Sequence, residues 1–253
     1  MDAFERIAAA LERLSPPPPP AADARAHPAY VWRDGVLAAT RAFAPQPLDR
    51  LLGIERQKAA LVDNLERLAG GRAAQDVLLW GARGTGKSAL VKSAVGAVQA
   101  AGDDLALVEV ATLRQLPALF VDDLGVDDPA EARLLRSMLE GGAEARPANV
   151  RLLVTANRRH IAARDIAEQE SAINPRDSID DHLALADRFG LSLGFHAIDQ
   201  DQYLAIVAGY AGAYGLSYDP DLAVRWATQR GSRSGRVAWH YIVDLAGREG
   251  VAL

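Results

Sequence analysis

Residues 77–88 read Val77-Leu78-Leu79-Trp80-Gly81-Ala82-Arg83-Gly84-Thr85-Gly86-Lys87-Ser88. An apolar strand runs straight into a G-x-x-x-x-G-K-S/T loop that opens a helical pattern. Gly81 and Gly86 let the main chain approach phosphate oxygens that a Cβ would hold away. The amides of the loop and of the first helical turn converge on an anion, and the helix dipole reinforces them. Lys87 would reach the outer phosphates and the Ser88 hydroxyl would ligate Mg²⁺. The expected nucleotide-binding positions are therefore Gly81, Ala82, Arg83, Gly84, Thr85, Gly86, Lys87, Ser88 and Ala89. Lysine is scarce here: Lys58, Lys87 and Lys92 are three among 28 basic residues. A chance match to the pattern is then roughly one in a thousand.

Working outward, strands alternate with helical patterns. Tyr30-Val31-Trp32 reads as a short strand, and about 54–69 as a helix with Leu61, Leu65 and Leu68 on its apolar face. Lys87–Ala100 is the helix beneath the phosphates, and Leu105–Val110 a second core strand. Ala118-Leu119-Phe120-Val121-Asp122-Asp123 is a continuous apolar run ending in two acids, as in a parallel strand buried on both faces. Asp128 and Pro129 open a helix that stops at Gly141-Gly142. Val150–Thr155 and Leu191–Phe195 are the last strands. Helical patterns follow at about 199–213, 219–229 and 235–247. The expected architecture is α/β, a parallel sheet flanked by helices and followed by a small all-α lid. The expected divisions are 1–27, 28–197 and 198–253. The first holds an amphipathic helix over 2–14 (Phe4, Ile7, Ala8, Leu11, Leu14), stopped by Pro16–Pro20. One spacing conflicts with this scheme. Residues 111–116 are too short for an ordinary parallel crossover.

Five residues beyond the loop suit phosphate chemistry. Asp122 ends a buried strand where a carboxylate would hold the metal. Asp123, beside it, would orient and deprotonate the attacking water. Asn157, following another buried strand, would orient that water without adding charge. Arg188, just before the last strand, would serve a neighbouring subunit's γ-phosphate as a finger. Such fingers are worth about 10³–10⁵ in rate. Arg236 opens the last helix and would reach the phosphates of its own subunit, with Arg233 as the fallback.

In this order the motifs resemble those of an AAA+ ATPase. More narrowly, the chain resembles the bacterial AAA+ group labelled domain of unknown function 815. The matching stretches include Leu51-Leu52-Gly53-Ile54-Glu55-Arg56-Gln57-Lys58, the glycine loop and Leu139-Glu140-Gly141-Gly142-Ala143-Glu144-Ala145-Arg146-Pro147. Asn157-Arg158-Arg159-His160, Asp187-Arg188-Phe189-Gly190-Leu191, Asp201-Gln202-Tyr203-Leu204-Ala205-Ile206-Val207 and Arg233-Ser234-Gly235-Arg236 complete the set. The resemblance implies ATP and Mg²⁺ as ligands and an oligomeric machine. It assigns Lys87 and Ser88 to phosphate and metal, Asp122 and Asp123 to the metal-side and catalytic acids, and Asn157 and Arg236 to the first and second sensors. Arg188 is the finger, and Gly53-Ile54 lies against adenine. Most AAA+ enzymes carry Glu where Asp123 stands; the narrower group carries the Asp pair.

Composition bounds the remainder. The chain has 253 residues, 49% hydrophobic and 24% charged, with net charge −5 and no cysteine. This excludes disulfides and thiolate metal sites and gives no global pull toward nucleic acid. No apolar run approaches the ~18 residues of a membrane span. The acidic start (Asp2, Glu5) is unlike a signal peptide, so a cytoplasmic protein is expected. The leading expectation is an oligomeric ATP hydrolase acting on an unidentified protein or nucleic-acid client. A second is an ATP-gated loader with little hydrolysis, in which Arg158-Arg159 and the Arg230, Arg233, Arg236 group touch DNA. A third is a small-molecule kinase.

Overall fold

A computed structural model describes residues 4, 23, 26–33, 36–110, 120–121, 129–140, 147–157 and 187–253. Outside these residues lie the expected N-terminal helix apart from Phe4, the Pro16–Pro20 run, the 111–116 crossover, Asp122, Asp123, Arg158, Arg159 and the polar stretch 161–186.

The strands are β1 (Ala29–Arg33), β2 (Val36–Ala39), β3 (Val77–Gly81), β4 (Leu107–Val110), β5 (Phe120–Val121), β6 (Leu153–Asn157) and β7 (Leu191–Phe195). They form one sheet in the order β2-β1-β4-β5-β6-β3-β7. Every neighbouring pair is parallel except β1 with β2. The helices are α1 (Glu55–Ala69), α2 (Lys87–Ala100), α3 (Pro129–Glu140), α4 (Gln200–Ala213), α5 (Pro220–Gln229) and α6 (Gly235–Glu249).

Alternation along β3 sorts the core. Val77 and Leu79 join Leu61 and Leu65 of α1 and Leu90, Val91, Ala94 and Val98 of α2 on one face. Leu78 faces the other way, among Tyr30, Val108, Val154, Phe189 and Leu135 of α3. With both faces covered, the strands read as continuous apolar runs. The three C-terminal helices enclose a separate cluster around Tyr203, Val207, Ala238, Tyr241 and Ile242. Burial pushes the Tyr203 hydroxyl up to about 12, so it stays a donor, here to the Ala223 carbonyl at 3.2 Å.

Two boundaries and one strand differ from the sequence expectation, each for a local reason. β4 begins at Leu107, because the Leu105 carbonyl accepts from the Gln99 side chain at the end of α2. β6 begins at Leu153. The Leu152 amide donates to the Asp76 carboxylate, and the Arg151 guanidinium folds back onto the Ala148 and Val150 carbonyls. β2 was not expected at all. Its register pairs Arg33 with Val36 across Asp34-Gly35, a dipeptide typical of two-residue hairpins. The doubtful neighbours do pair: Glu109 is opposite Phe120 and Val110 opposite Val121.

The entry to β3 is clasped by one buried side chain of α1. Asn64 Nδ2 donates to the Gln75 carbonyl at 3.0 Å, and Asn64 Oδ1 accepts from the Gln75 amide at 2.8 Å. Replacing Asn64 with Ala leaves both backbone groups unmatched. Urea unfolding of Asn64→Ala is expected to show a loss of about 2–3 kcal/mol. A loss under about 0.5 kcal/mol would show that water replaces the clasp freely.

Candidate functional site

The glycine loop lies where β3 ends, between the ends of β6 and β7. Gly81 is paired with Asn157 on one side and Phe195 on the other. A crevice at the carboxyl ends of parallel strands is where this class of sheet binds ligands. Gly81 has φ 137°, and a Cβ there would lie 2.0 Å from the Phe195 carbonyl oxygen. The adjoining Ala82 amide donates to that same oxygen at 3.1 Å. No other residue type permits so close an approach of two backbones.

The opposite rim of the loop is held by the helical bundle. Gly84 has φ 75°, and a Cβ there would meet the Ser234 Cβ at 2.8 Å. The Gly84 carbonyl accepts from the Gly235 amide at 3.0 Å, one of the amides left over at the start of α6. Ser234 is buried and caps α6 through its hydroxyl, which accepts from the Val237 amide at 3.2 Å. Between these anchors α2 begins at Lys87, with its N-terminus open to the cleft. Lys87 is 8% exposed, and its Nζ donates to the Gly81 and Ala82 carbonyls at 2.9 and 2.8 Å. Thr85 Oγ1 donates to the Ala82 carbonyl at 2.7 Å and stiffens the turn.

The cleft above the loop has a volume of about 560 Å³. Of the expected residues, Gly53, Ile54, Arg83, Gly84, Thr85, Gly86, Lys87, Ser88, Ala89, Asn157 and Arg236 all line it. Gly81 and Ala82 sit beneath, bonded to Lys87. Arg188 does not line it. Its Nε and Nη2 donate to Glu140 Oε1 at the end of α3, at 2.7 and 2.5 Å. Arg233 is likewise absent from the lining, and Asp122 and Asp123 lie outside the described residues. Among the described lining residues, Arg50, Arg83, Lys87 and Arg236 carry positive charge and none carries a carboxylate.

The far end of the cleft was not anticipated beyond Gly53-Ile54. Leu52 and Ile198 meet Gln202, Ile206 and Tyr210 of α4 and Trp239 of α6 there. The Tyr210 and Trp239 rings meet edge to face at 5.2 Å. Burial raises the Tyr210 hydroxyl above the ordinary tyrosine range, so it remains protonated and donates to Gln46 Oε1 at 3.3 Å. Arg50 donates to the Tyr214 hydroxyl at 3.1 Å. Gln57 of α1 donates to the Gly194 carbonyl at 2.8 Å. The signal for α4 lay in the four-residue spacing of Gln202, Ile206 and Tyr210, which puts them on one helix face.

These features suit a nucleoside triphosphate. The cradle admits no Cβ at Gly81 and Gly84, the helix start and four cations face the cleft, and the other end is aromatic and aliphatic. They also suit Mg²⁺, which usually takes one or two protein oxygens and substrate phosphates. Ser88 provides such an oxygen. Among the described residues there is no larger His, Asp and Glu cluster to hold a metal.

A family model described as "Protein of unknown function (DUF815)" matches residues 25–249. No curated protein matches the chain. Among solved structures, the chain is similar to the Thermotoga maritima RuvB Holliday junction branch migration motor. The TM-score is 0.52 at 19% identity, covering 83% of this chain and 68% of that one. A mutant of the same motor gives the same TM-score, 0.52, at 19% identity, with 83% and 68% covered. The likeness establishes that the chain shares the fold of the matched part of that motor.

Gly84→Ala tests the bundle-to-loop anchor. The added methyl collides with Ser234 and the residue is held at positive φ, so a stability loss of about 1–3 kcal/mol is expected. Amide exchange at Gly235 should accelerate at least about tenfold as its bond to Gly84 opens. Unchanged exchange at Gly235 would show that the two units are not joined through this bond in solution.

Proposed function

We propose that this chain, which belongs to the family described as protein of unknown function (DUF815) and to the AAA+ superfamily, binds ATP with Mg²⁺ in the cleft over the glycine loop. It would hydrolyse the nucleotide as part of an oligomer acting on an unidentified macromolecular client. The observation that carries the reading is Lys87, a buried ammonium held at the start of α2 by two loop carbonyls. A buried cation at an open helix N-terminus favours an anionic ligand.

In this reading residues 28–197 are the nucleotide-binding domain, 198–253 its lid and 1–27 an amphipathic helix with a Pro-rich linker. Lys87 and the loop amides bind the phosphates and hold them against the helix dipole. Ser88 and Asp122 would hold Mg²⁺, which supplies Lewis-acid neutralisation of phosphate charge when bound. Asp123 accepts a proton from water as its oxygen bonds to the γ-phosphorus and the β–γ bridging bond breaks. Asn157, paired beside Gly81, orients that water. Arg236 meets the phosphates from the lid. Gly53 and Ile54, with Tyr210 and Trp239 opposite, enclose the base. Arg188, bonded to Glu140 and absent from the lining of its own cleft, would exchange that bond for the γ-phosphate of the next subunit. Among the described residues no helix is long and apolar enough to cross a membrane.

Calorimetry should show ATP binding to the native chain, weakened at least about 100-fold in Lys87→Ala through loss of a charge-assisted contact. Equal heats for the two proteins would end the ATP-binding reading. Arg188→Ala should retain ATP affinity and lose about 10³ in steady phosphate release. Native specific activity should rise with protein concentration. Concentration-independent turnover that survives Arg188→Ala would rule out catalysis across subunits.

A further inference from the structure

The helical bundle separates its charges along the chain. Residues 198–221 carry Asp199, Asp201, Asp219 and Asp221 and no basic side chain, whereas 222–243 carry Arg225, Arg230, Arg233 and Arg236 and no acidic one. The acids have local tasks. Asp199 and Asp219 cap α4 and α5, and Asp201 and Asp221 lie in the first turns, where helix dipoles favour them. Arg236 lines the nucleotide cleft. The other three arginines are exposed. Among the described residues, Arg225 and Arg233 form no hydrogen bond or ion pair, and Arg225 is unpaired even with Asp221 four residues before it. Arg67, Arg188 and Arg248, by contrast, are each held by a carboxylate.

The surface that bears them is pre-ordered. Leu222, Arg225, Trp226, Gln229 and Arg230 share one face of α5, away from the buried Ala223 and Ala227. Arg230 ends the helix and stacks on the Trp226 ring, 3.3 Å from its centroid. Stacking occupies the face of the guanidinium and leaves its N–H edge available. The turn toward α6 then closes tightly. The Gly231 amide donates to the Thr228 carbonyl at 3.1 Å and the Ser232 amide to the Ala227 carbonyl at 3.4 Å. Arg233 follows directly.

We propose that this surface, the outer face of α5 with the turn that follows it, binds the sugar–phosphate backbone of nucleic acid. Between the arginines stand Thr228, Gln229, Gly231 and Ser232, all exposed and all able to bond phosphate oxygens. A protein partner would bury an apolar centre, and none lies among them: the exposed Leu222 sits at the acidic end of α5. The net charge of −5 does not oppose binding, because exposed charges more than about 10 Å away are screened at about 0.1 M salt. Backbone contacts carry no sequence preference. That nucleic acid is the client rests on the reading above. The binding itself needs no ATP and is measured without it.

Fluorescence anisotropy of a labelled random-sequence DNA duplex, and of its single strand, tests this. Binding to either form should weaken with salt, with a log–log slope of about −2 to −3 for three neutralised phosphates. Arg225→Ala and Arg230→Ala should each weaken binding roughly threefold to tenfold and reduce the slope by about 1. Lysine at both positions should restore the slope, because the charge is what releases counterions. Calorimetry should find the ATP affinity of the double alanine variant unchanged. Polyglutamate bound as tightly as DNA would assign the surface to an acidic protein, and alanine variants with an undiminished slope would place DNA elsewhere. Either result overturns the proposal. A native chain that bound ATP and neither form of DNA would overturn it while leaving the nucleotide reading intact; one that bound DNA and not ATP would do the reverse.

Discussion

The fold converges on one constraint: the glycine loop is fixed on both rims by backbone contacts too close for a side chain. At Gly81 the loop lies against the Phe195 carbonyl at the end of β7, and at Gly84 it lies against Ser234 and the first amide of α6. The first contact is with backbone alone, and the second is with a buried serine committed to capping α6, so neither yields in small steps. The loop is therefore preformed, and its geometry is inherited from the sheet on one side and the helical bundle on the other. Preformation lowers the ordering cost of binding a flexible polyanion.

The same constraint makes the bundle part of the site. α6 contributes its leading amide to the loop, Arg236 to the cleft beside it, and Trp239 one turn later to the base end. α4 contributes Gln202, Ile206 and Tyr210 from one face. A ligand filling the cleft thus touches both units.

Where the sequence was legible, strong local rules governed. The strand-loop-helix at 77–100 was fixed by glycine, lysine and an unbroken apolar run. The three C-terminal helices were marked by caps: Asp199 with Gln202 in a reciprocal box, Asp219 with Pro220, and Ser234. What escaped depended on distant partners. β2 is the exception, since its partner β1 lies just across Asp34-Gly35, a local hairpin signal. Residues 150–152 have strand composition, yet Asp76 and Arg151 divert their hydrogen bonds. The walls of the base end come from three separated segments. Glu140, the partner of Arg188, stands 48 residues away in sequence. No spacing rule reaches that far.

The choice of lysine at position 87 follows from this geometry. A chain with 28 basic residues, only three of them lysine, uses arginine almost everywhere for charge. Arginine suits rims and surfaces, where its planar fork can stack or bridge, as Arg50 does on Tyr214 and Arg230 on the Trp226 ring. Beneath the loop the demands differ. The cation must fit in a buried channel and meet two carbonyls about 3 Å away. An ammonium arranges its donors around one point, so it can meet both within a narrow space. A guanidinium spreads its donors in a plane and needs a wider slot. Widening the slot would separate Gly81 from Phe195, the contact on which the loop depends.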